Sequence, residues 1–193
     1  MAKLIQNRRV ATDNWLLLKP QGAPGSPEGE ALPAVPATGN VIAPLALWRA
    51  QRAALLARQS EGSRTGVWLT DTEGPEALAD LLGPDLNRLP IIALNFPKFS
   101  NGRNLSTARL LRERHGYSGE LRAIGDVQRD QLLGMYRCGI NSFALRDDQD
   151  AEDALAAFDE LPVAYQASVV HPQPLFRRQP GDAGGARAAG STS

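Results

Sequence analysis

The residues best suited to chemistry fall in one run. Phe96-Pro97-Lys98-Phe99-Ser100-Asn101-Gly102-Arg103 leads directly into Asn104-Leu105-Ser106-Thr107-Ala108-Arg109-Leu110-Leu111-Arg112. Lys98, Arg103 and Arg109 bring three cations to it, and Asn104 or Ser106 can cap a helix that starts there. Free N–H groups at a helix N-terminus, flanked by cations, suit an anion or an acidic partner. Asn101 adds an amide, and Gly102 would let the backbone turn or approach a ligand closely. The same residues also read as a solvated surface with a glycine turn, anchored by Phe96 and Phe99.

Two acids could complete such a site. Asp126, in Gly125-Asp126-Val127, could orient an arginine or take a proton; it could equally cap the next helix. Asp130 could pair with Arg109 or Arg112, or lie in water. Cys138 is the only cysteine, and it reads as a small buried residue rather than a nucleophile. No histidine adjoins it, and His115 could reach it only through folding. One thiol and two separated histidines, His115 and His171, offer no metal or cluster ligand set. There is no Walker-type loop and no GxGxxG, so no cofactor is evident.

The elements that must position these residues become regular from Gly66 onward. Val67–Leu69, Ile91–Leu94, Leu121–Ile124 and Ser142–Leu145 are short apolar runs. Helical spacing follows each: Leu78, Leu81 and Leu82 after Pro75; Leu105, Ala108 and Leu111; residues 127–137, closed by Gly139; and Ala151, Ala154, Leu155 and Phe158. Apolar strands without alternation suggest burial on both faces, as in a parallel sheet. The fold class is therefore α/β: a mostly parallel sheet of βα units, doubly wound or half-barrel-like. In either form the run after Ile91–Leu94 lies at the carboxyl end of its strand, where such folds place their sites.

Ahead of this core, residues 1–65 read as a hairpin, a loop and a helix packed on it. Leu4–Val10 and Trp15–Leu18 form the hairpin strands around Asp13-Asn14. Pro20 to Asn40 is proline- and glycine-rich loop, and residues 44–59 are an amphipathic helix with Pro44 at its first position. The core spans 66–161. Residues 162–176 form a docking segment, with 163–170 a late strand or a docked stretch. Residues 177–193 have the composition of a disordered tail.

Composition narrows the function. The 193 residues carry 21 Lys and Arg against 21 Asp and Glu, which argues against coating nucleic acid or an anionic membrane by bulk charge. Three scattered tryptophans in a chain only 6% aromatic argue against a single-strand stacking platform. No membrane span and no signal peptide are visible, so the expected location is the cytoplasm. Yet the charge is segregated. Residues 66–97 hold one base and five acids, 98–138 eight bases and four acids, and 139–161 one base and seven acids.

Three stretches carry a resemblance. Phe96–Arg112, Gly119–Val127 with Asp130-Gln131, and Arg137-Cys138-Gly139-Ile140-Asn141-Ser142-Phe143 are similar to a bacterial family of unknown function. Its members are labelled as an oxidoreductase of sulfite reduction, because their genes lie beside those for the sulfite reductase haemoprotein. The resemblance runs over residues 1–176 and is densest over 96–143. The family commonly carries Asp where this chain has Asn101. The resemblance implies a pathway, assimilatory sulfate reduction toward cysteine biosynthesis, and the haemoprotein as partner. It implies no reaction. Three expectations follow: an accessory protein of sulfite reductase; an enzyme or binder of a small anion held by Lys98, Arg103 and Arg109; or a redox protein whose flavin binds without a motif.

Overall fold

The computed structural model describes residues 4–20, 31–60, 62–98, 100–160, 167–170 and 172. Strands β1 (Leu4–Gln6) and β2 (Arg9–Ala11) come first, then β3 (Trp15–Leu17) and β4 (Asn40–Pro44). Four further strands follow: β5 (Thr65–Leu69), β6 (Ile91–Phe96), β7 (Glu120–Gly125) and β8 (Ser142–Ala144). Helices α1 (Leu45–Ser60), α2 (Pro75–Leu82), α3 (Arg103–Glu113), α4 (Leu132–Arg137) and α5 (Ala151–Leu155) follow β4 to β8 in turn.

All eight strands form one sheet in the order β2-β1-β8-β7-β6-β5-β4-β3. From β3 to β8 the neighbours run parallel and in sequence order. A doubly wound sheet reverses direction at a switch point, and this one never does. Every right-handed crossover therefore steps the same way, and the sheet is the half-barrel. β1 adds antiparallel to β8, and β2 antiparallel to β1.

The sheet must curl strongly. β2 and β3 lie at opposite edges, yet only Thr12, Asp13 and Asn14 join them. Laid flat, seven strand spacings would separate them by about 34 Å. Four Cα steps from Ala11 to Trp15 reach at most about 15 Å. The chain from Arg9 to Leu17 thus serves both edges and draws them together. Asp13 confirms the curl, since its carboxylate reaches Arg122 of β7 in the middle of the sheet.

Both faces are buried, as the non-alternating strands imply. The convex face packs Val41, Val67, Leu69, Ile92, Leu94, Leu121 and Phe143 against Trp48, Leu78, Ala108, Leu111, Leu132 and Phe158 of the helical layer. The concave face holds Ile42, Trp68, Ile91, Ala93 and Ile124, with Trp15 and Leu17 beside them. Gly66 sits where a Cβ would lie 2.2 Å from Ile91 Cγ2, and its carbonyl accepts the Trp48 indole N–H at 3.0 Å.

Several local expectations are corrected. The hairpin turn is Asn7-Arg8, both at positive φ (50° and 60°), as a two-residue turn of this type requires. Asp13-Asn14 instead links the two sheet edges, with Asp13 accepting from the Trp15 N–H at 3.0 Å. Pro44 ends β4 rather than opening α1; at the strand's last residue its missing N–H breaks no interior ladder. The strand itself, carried by Val41-Ile42-Ala43, was hidden beside the proline-rich run. Residues 129–131 are a 3₁₀ turn ahead of the shorter α4. Residues 167–170 form no strand, and Val169 docks by donating its N–H to the Arg137 carbonyl at 3.0 Å. Val163, Tyr165 and the tail 177–193 lie outside the described residues.

Candidate functional site

The loops at the carboxyl ends of β5, β6, β7 and β8 share one rim, because these strands are parallel neighbours. The β6 loop brings Lys98, Asn101, Gly102 and Arg103 to it, as the sequence implies. Asn101 is held from two sides. Its Nδ2 donates to Asp71 Oδ2 at 2.6 Å, and its Oδ1 accepts the Arg103 N–H at 3.2 Å. The Asp71 loop is itself closed by Glu73, which accepts from the Thr70 N–H and hydroxyl at 2.9 and 3.0 Å. Lys98 and Arg103 are exposed, and their side chains make no ion pair or hydrogen bond among the described residues.

Gly102 is the residue just before α3, at φ −89° and ψ 7°. Any residue adopts that conformation, and a Cβ there would meet only Leu105 Cδ1 at 3.5 Å. The expected need for glycine is therefore absent. Neither Asn104 nor Ser106 caps the helix: α3 has no side-chain cap at Gly102. Asn104 lies inside the first turn, 1% exposed, and donates to the Asn95 carbonyl at 2.7 Å. It fastens α3 to the end of β6.

Gly125 does need to be glycine. Its φ is +98°, and a Cβ would lie 2.4 Å from the Phe96 carbonyl oxygen. That close approach lets the next N–H, of Asp126, donate to the same oxygen at 2.8 Å. Asp126 is thereby fixed on the rim. Its carboxylate accepts from Arg146 Nη1 at 2.8 Å and Gln128 Nε2 at 3.0 Å. It does orient an arginine, though one from the β8 loop. The cap expected of it is made by Gln128, in a reciprocal box with Gln131. Arg146 also grips Asp148 and holds that carboxyl down at about 2.

Two candidates stand apart from the rim. Arg109 lies six residues into α3, about 9 Å along the helix from Arg103. Its Nε donates to both Glu113 oxygens at 2.9 Å. Asp130 is exposed on the 3₁₀ turn and meets neither expected arginine. Arg109 is taken by Glu113, and Arg112 turns inward to the carbonyls of Gly139 (2.8 Å) and Gly119 (3.0 Å). Cys138 is half-buried at the end of α4, and burial pushes its thiol up, as for an inert residue. Its charged neighbours are Arg109, Arg137 and Glu113.

Asp71, Arg146, Asp148 and Gln128 were not singled out from the sequence. Asp71 and Arg146 follow β5 and β8 as Asn101 follows β6, so the same carboxyl-end rule would have found them. Away from the rim, Arg122 lies on the concave face, 3% exposed, between Asp13 (2.9 Å) and Glu120 (2.8 Å). A groove of about 290 Å³ runs between α3 and the docked stretch, lined by Arg109, Arg112, Glu113, Val169 and Pro172 among others. Among the described residues no group of His, Cys, Asp and Glu could hold a metal ion, and no helix is long and apolar enough to cross a membrane.

Residues 66–176 match the model of a family described as bacterial protein of unknown function, DUF934. No curated protein matches the chain.

Proposed function

We propose that this chain, which belongs to the DUF934 family of bacterial proteins of unknown function, is an accessory protein of assimilatory sulfite reduction that docks on the sulfite reductase haemoprotein. The pathway and the partner come from the sequence resemblance, and the cytoplasm is the expected place of action. One structural observation supports docking over catalysis. The partly buried carboxylates of the rim are engaged, Asp126 by Arg146 and Asp71 by Asn101, while the exposed charged groups of the β6 loop are the cations Lys98 and Arg103. Such a loop suits meeting opposite charge rather than moving a proton. A pull-down from sulfate-grown cells should recover the haemoprotein, with recovery falling as salt rises. Failure to recover it at any ionic strength would defeat the reading. Deleting the gene should also slow growth on sulfate and not on cysteine.

A second reading rests on the N-terminus of α3, where Asn101 accepts the first N–H, Gly102 brings no side-chain cap, and Lys98 and Arg103 stand alongside. There the site would take a small sulfur oxyanion or phosphate. Sulfite, sulfate or phosphate should then raise the thermal midpoint, because each binds only the folded state. The rise should vanish in Arg103→Ala.

A further inference from the structure

Two exposed side chains of helix α3 and that of Arg114, its C-terminal cap, lie in one row. Arg103, Leu110 and Arg114 are seven and four residues apart, which places them within about 40° of one another around the helix and over about 16 Å of its length. Arg114 is 69% exposed and Leu110 38% exposed, while the neighbouring Leu111 is fully buried. Arg109 flanks the row, and Lys98 stands ahead of its first turn. The cations here are either without a partner among the described residues or weakly held. Arg109 pairs with Glu113, and Arg114 with Glu76 at 3.6 Å, both as exposed pairs. Exposed pairs contribute little to stability, so these guanidinium groups can change partner readily. Beside Arg109 the groove adds an apolar wall of Ala167, Val169 and Pro172.

An exposed apolar side chain with arginines before and after it along the helix has the composition of an interface centre rather than of ordinary surface. We propose that the outer face of α3, from Lys98 to Arg114 with Leu110 at its middle, docks an acidic segment of a partner protein that sets an apolar side chain on Leu110. Charge complementarity selects the occupant. Among the described residues of this face a nucleic acid would find no exposed aromatic to stack on, since Tyr117 is buried. The proposal rests on the docking reading above and does not require the haemoprotein to be the partner.

The test uses the full chain and a short fluorescent peptide of alternating Glu and Leu, followed by anisotropy. The peptide should bind, and more weakly as salt rises. The pair Arg103→Glu/Arg114→Glu, and separately Leu110→Asp, should each weaken binding roughly tenfold or more. Arg52→Glu/Arg88→Glu, exposed cations near α1 and the turn before β6, should leave it unchanged. All variants should keep the parent's circular dichroism, since every changed side chain is solvent-exposed. A peptide of alternating Lys and Leu should not bind. The proposal falls if the α3 variants bind like the parent, if the acidic peptide does not bind, or if a single-stranded oligonucleotide binds the same face more tightly. The haemoprotein separates the two readings. Haemoprotein binding, together with acidic-peptide binding that the α3 variants leave unchanged, would overturn this proposal alone. Peptide binding on α3 without haemoprotein binding would overturn the accessory reading alone.

Discussion

Arg122 lies on the concave face of the sheet with 3% of its side chain exposed, clasped by Asp13 and Glu120, whereas Arg103 stands in solvent at the start of α3. Both belong to the basic stretch 98–138, and the fold gives them opposite work. Arg122 ties the link between the two sheet edges to the middle of the sheet. Arg103 ties nothing. The same division runs through the other cations of that stretch. Arg112 spends its guanidinium on backbone carbonyls, and Arg129 on Asp153 and Glu160. Only Lys98, Arg103, Arg109 and Arg114 are left on or near one exposed face with loose partners or none described. A net charge counted along the chain is thus a poor map of the field at the surface. What a partner meets is the part the interior has not used.

The comparison breaks most visibly at Arg122. Arg122→Ala would strand two acids that were arranged around a buried cation, a loss of about 3–5 kcal/mol for a buried pair. Asp13 and Glu120 are 19% and 13% exposed, so the lower end is expected. Urea denaturation at neutral pH reads it as a fall in midpoint. Arg122→Met combined with Asp13→Asn and Glu120→Gln should recover part of the loss, because no uncompensated charge then faces Met. Recovery of nothing would mean that the clasp works by joining the sheet edges rather than by neutralising charge.

A smaller loss is expected on the rim side. Gly125→Ala forces a side chain into a positive φ and against the Phe96 carbonyl, costing about 1–3 kcal/mol. It should also loosen Asp126, whose N–H shares that carbonyl. Faster amide exchange at Asp126, beyond that at residues of equal depth elsewhere, would tie the strain to the rim.

Smaller again is a pH effect from the β8 loop. Arg146 holds the Asp148 carboxyl at about 2, below its ordinary 3.8. A carboxyl depressed in the folded state adds stability above its unfolded value and loses it as pH falls through the folded one. Parent and Arg146→Ala should therefore differ at neutral pH and converge as pH falls from about 4 to about 2. Curves parallel down to the lowest pH would show that the pair adds nothing to folding.

How far the sequence could be read follows from what each feature depends on. The βα units from Gly66 depend on local apolar runs and helical spacing, and they formed where expected. β4 was missed because Pro44 marks a strand end as readily as a helix start, and the proline-rich run beside it masked three apolar residues. The curl of the sheet depends on Thr12–Asn14 joining edges seven spacings apart, a long-range fact that no local pattern carries. At the site, Lys98, Asn101 and Arg103 were legible from their place after a strand. The hold of Asp71 on Asn101 was not, because thirty residues separate them. Asp126 was legible as a rim residue; its arginine was not, since Arg146 comes from the next unit.

The least effect on folding is expected where the effect on binding should be greatest. Arg103 is exposed and its side chain makes no ion pair or hydrogen bond among the described residues, so Arg103→Glu removes no polar contact the fold uses. Substitutions of that kind usually fall within about 0.5 kcal/mol of the parent. At the first position of α3 a carboxylate also faces the positive end of the helix dipole, worth about 0.3–1 kcal/mol in its favour. The variant should thus unfold at the parent's urea midpoint or slightly above it. A loss above about 1 kcal/mol, the kind of cost tied to a named structural contact, would give Arg103 a structural task and erase the contrast with Arg122. An unchanged midpoint, with the acidic peptide released, would separate the charge that builds this sheet from the charge it displays.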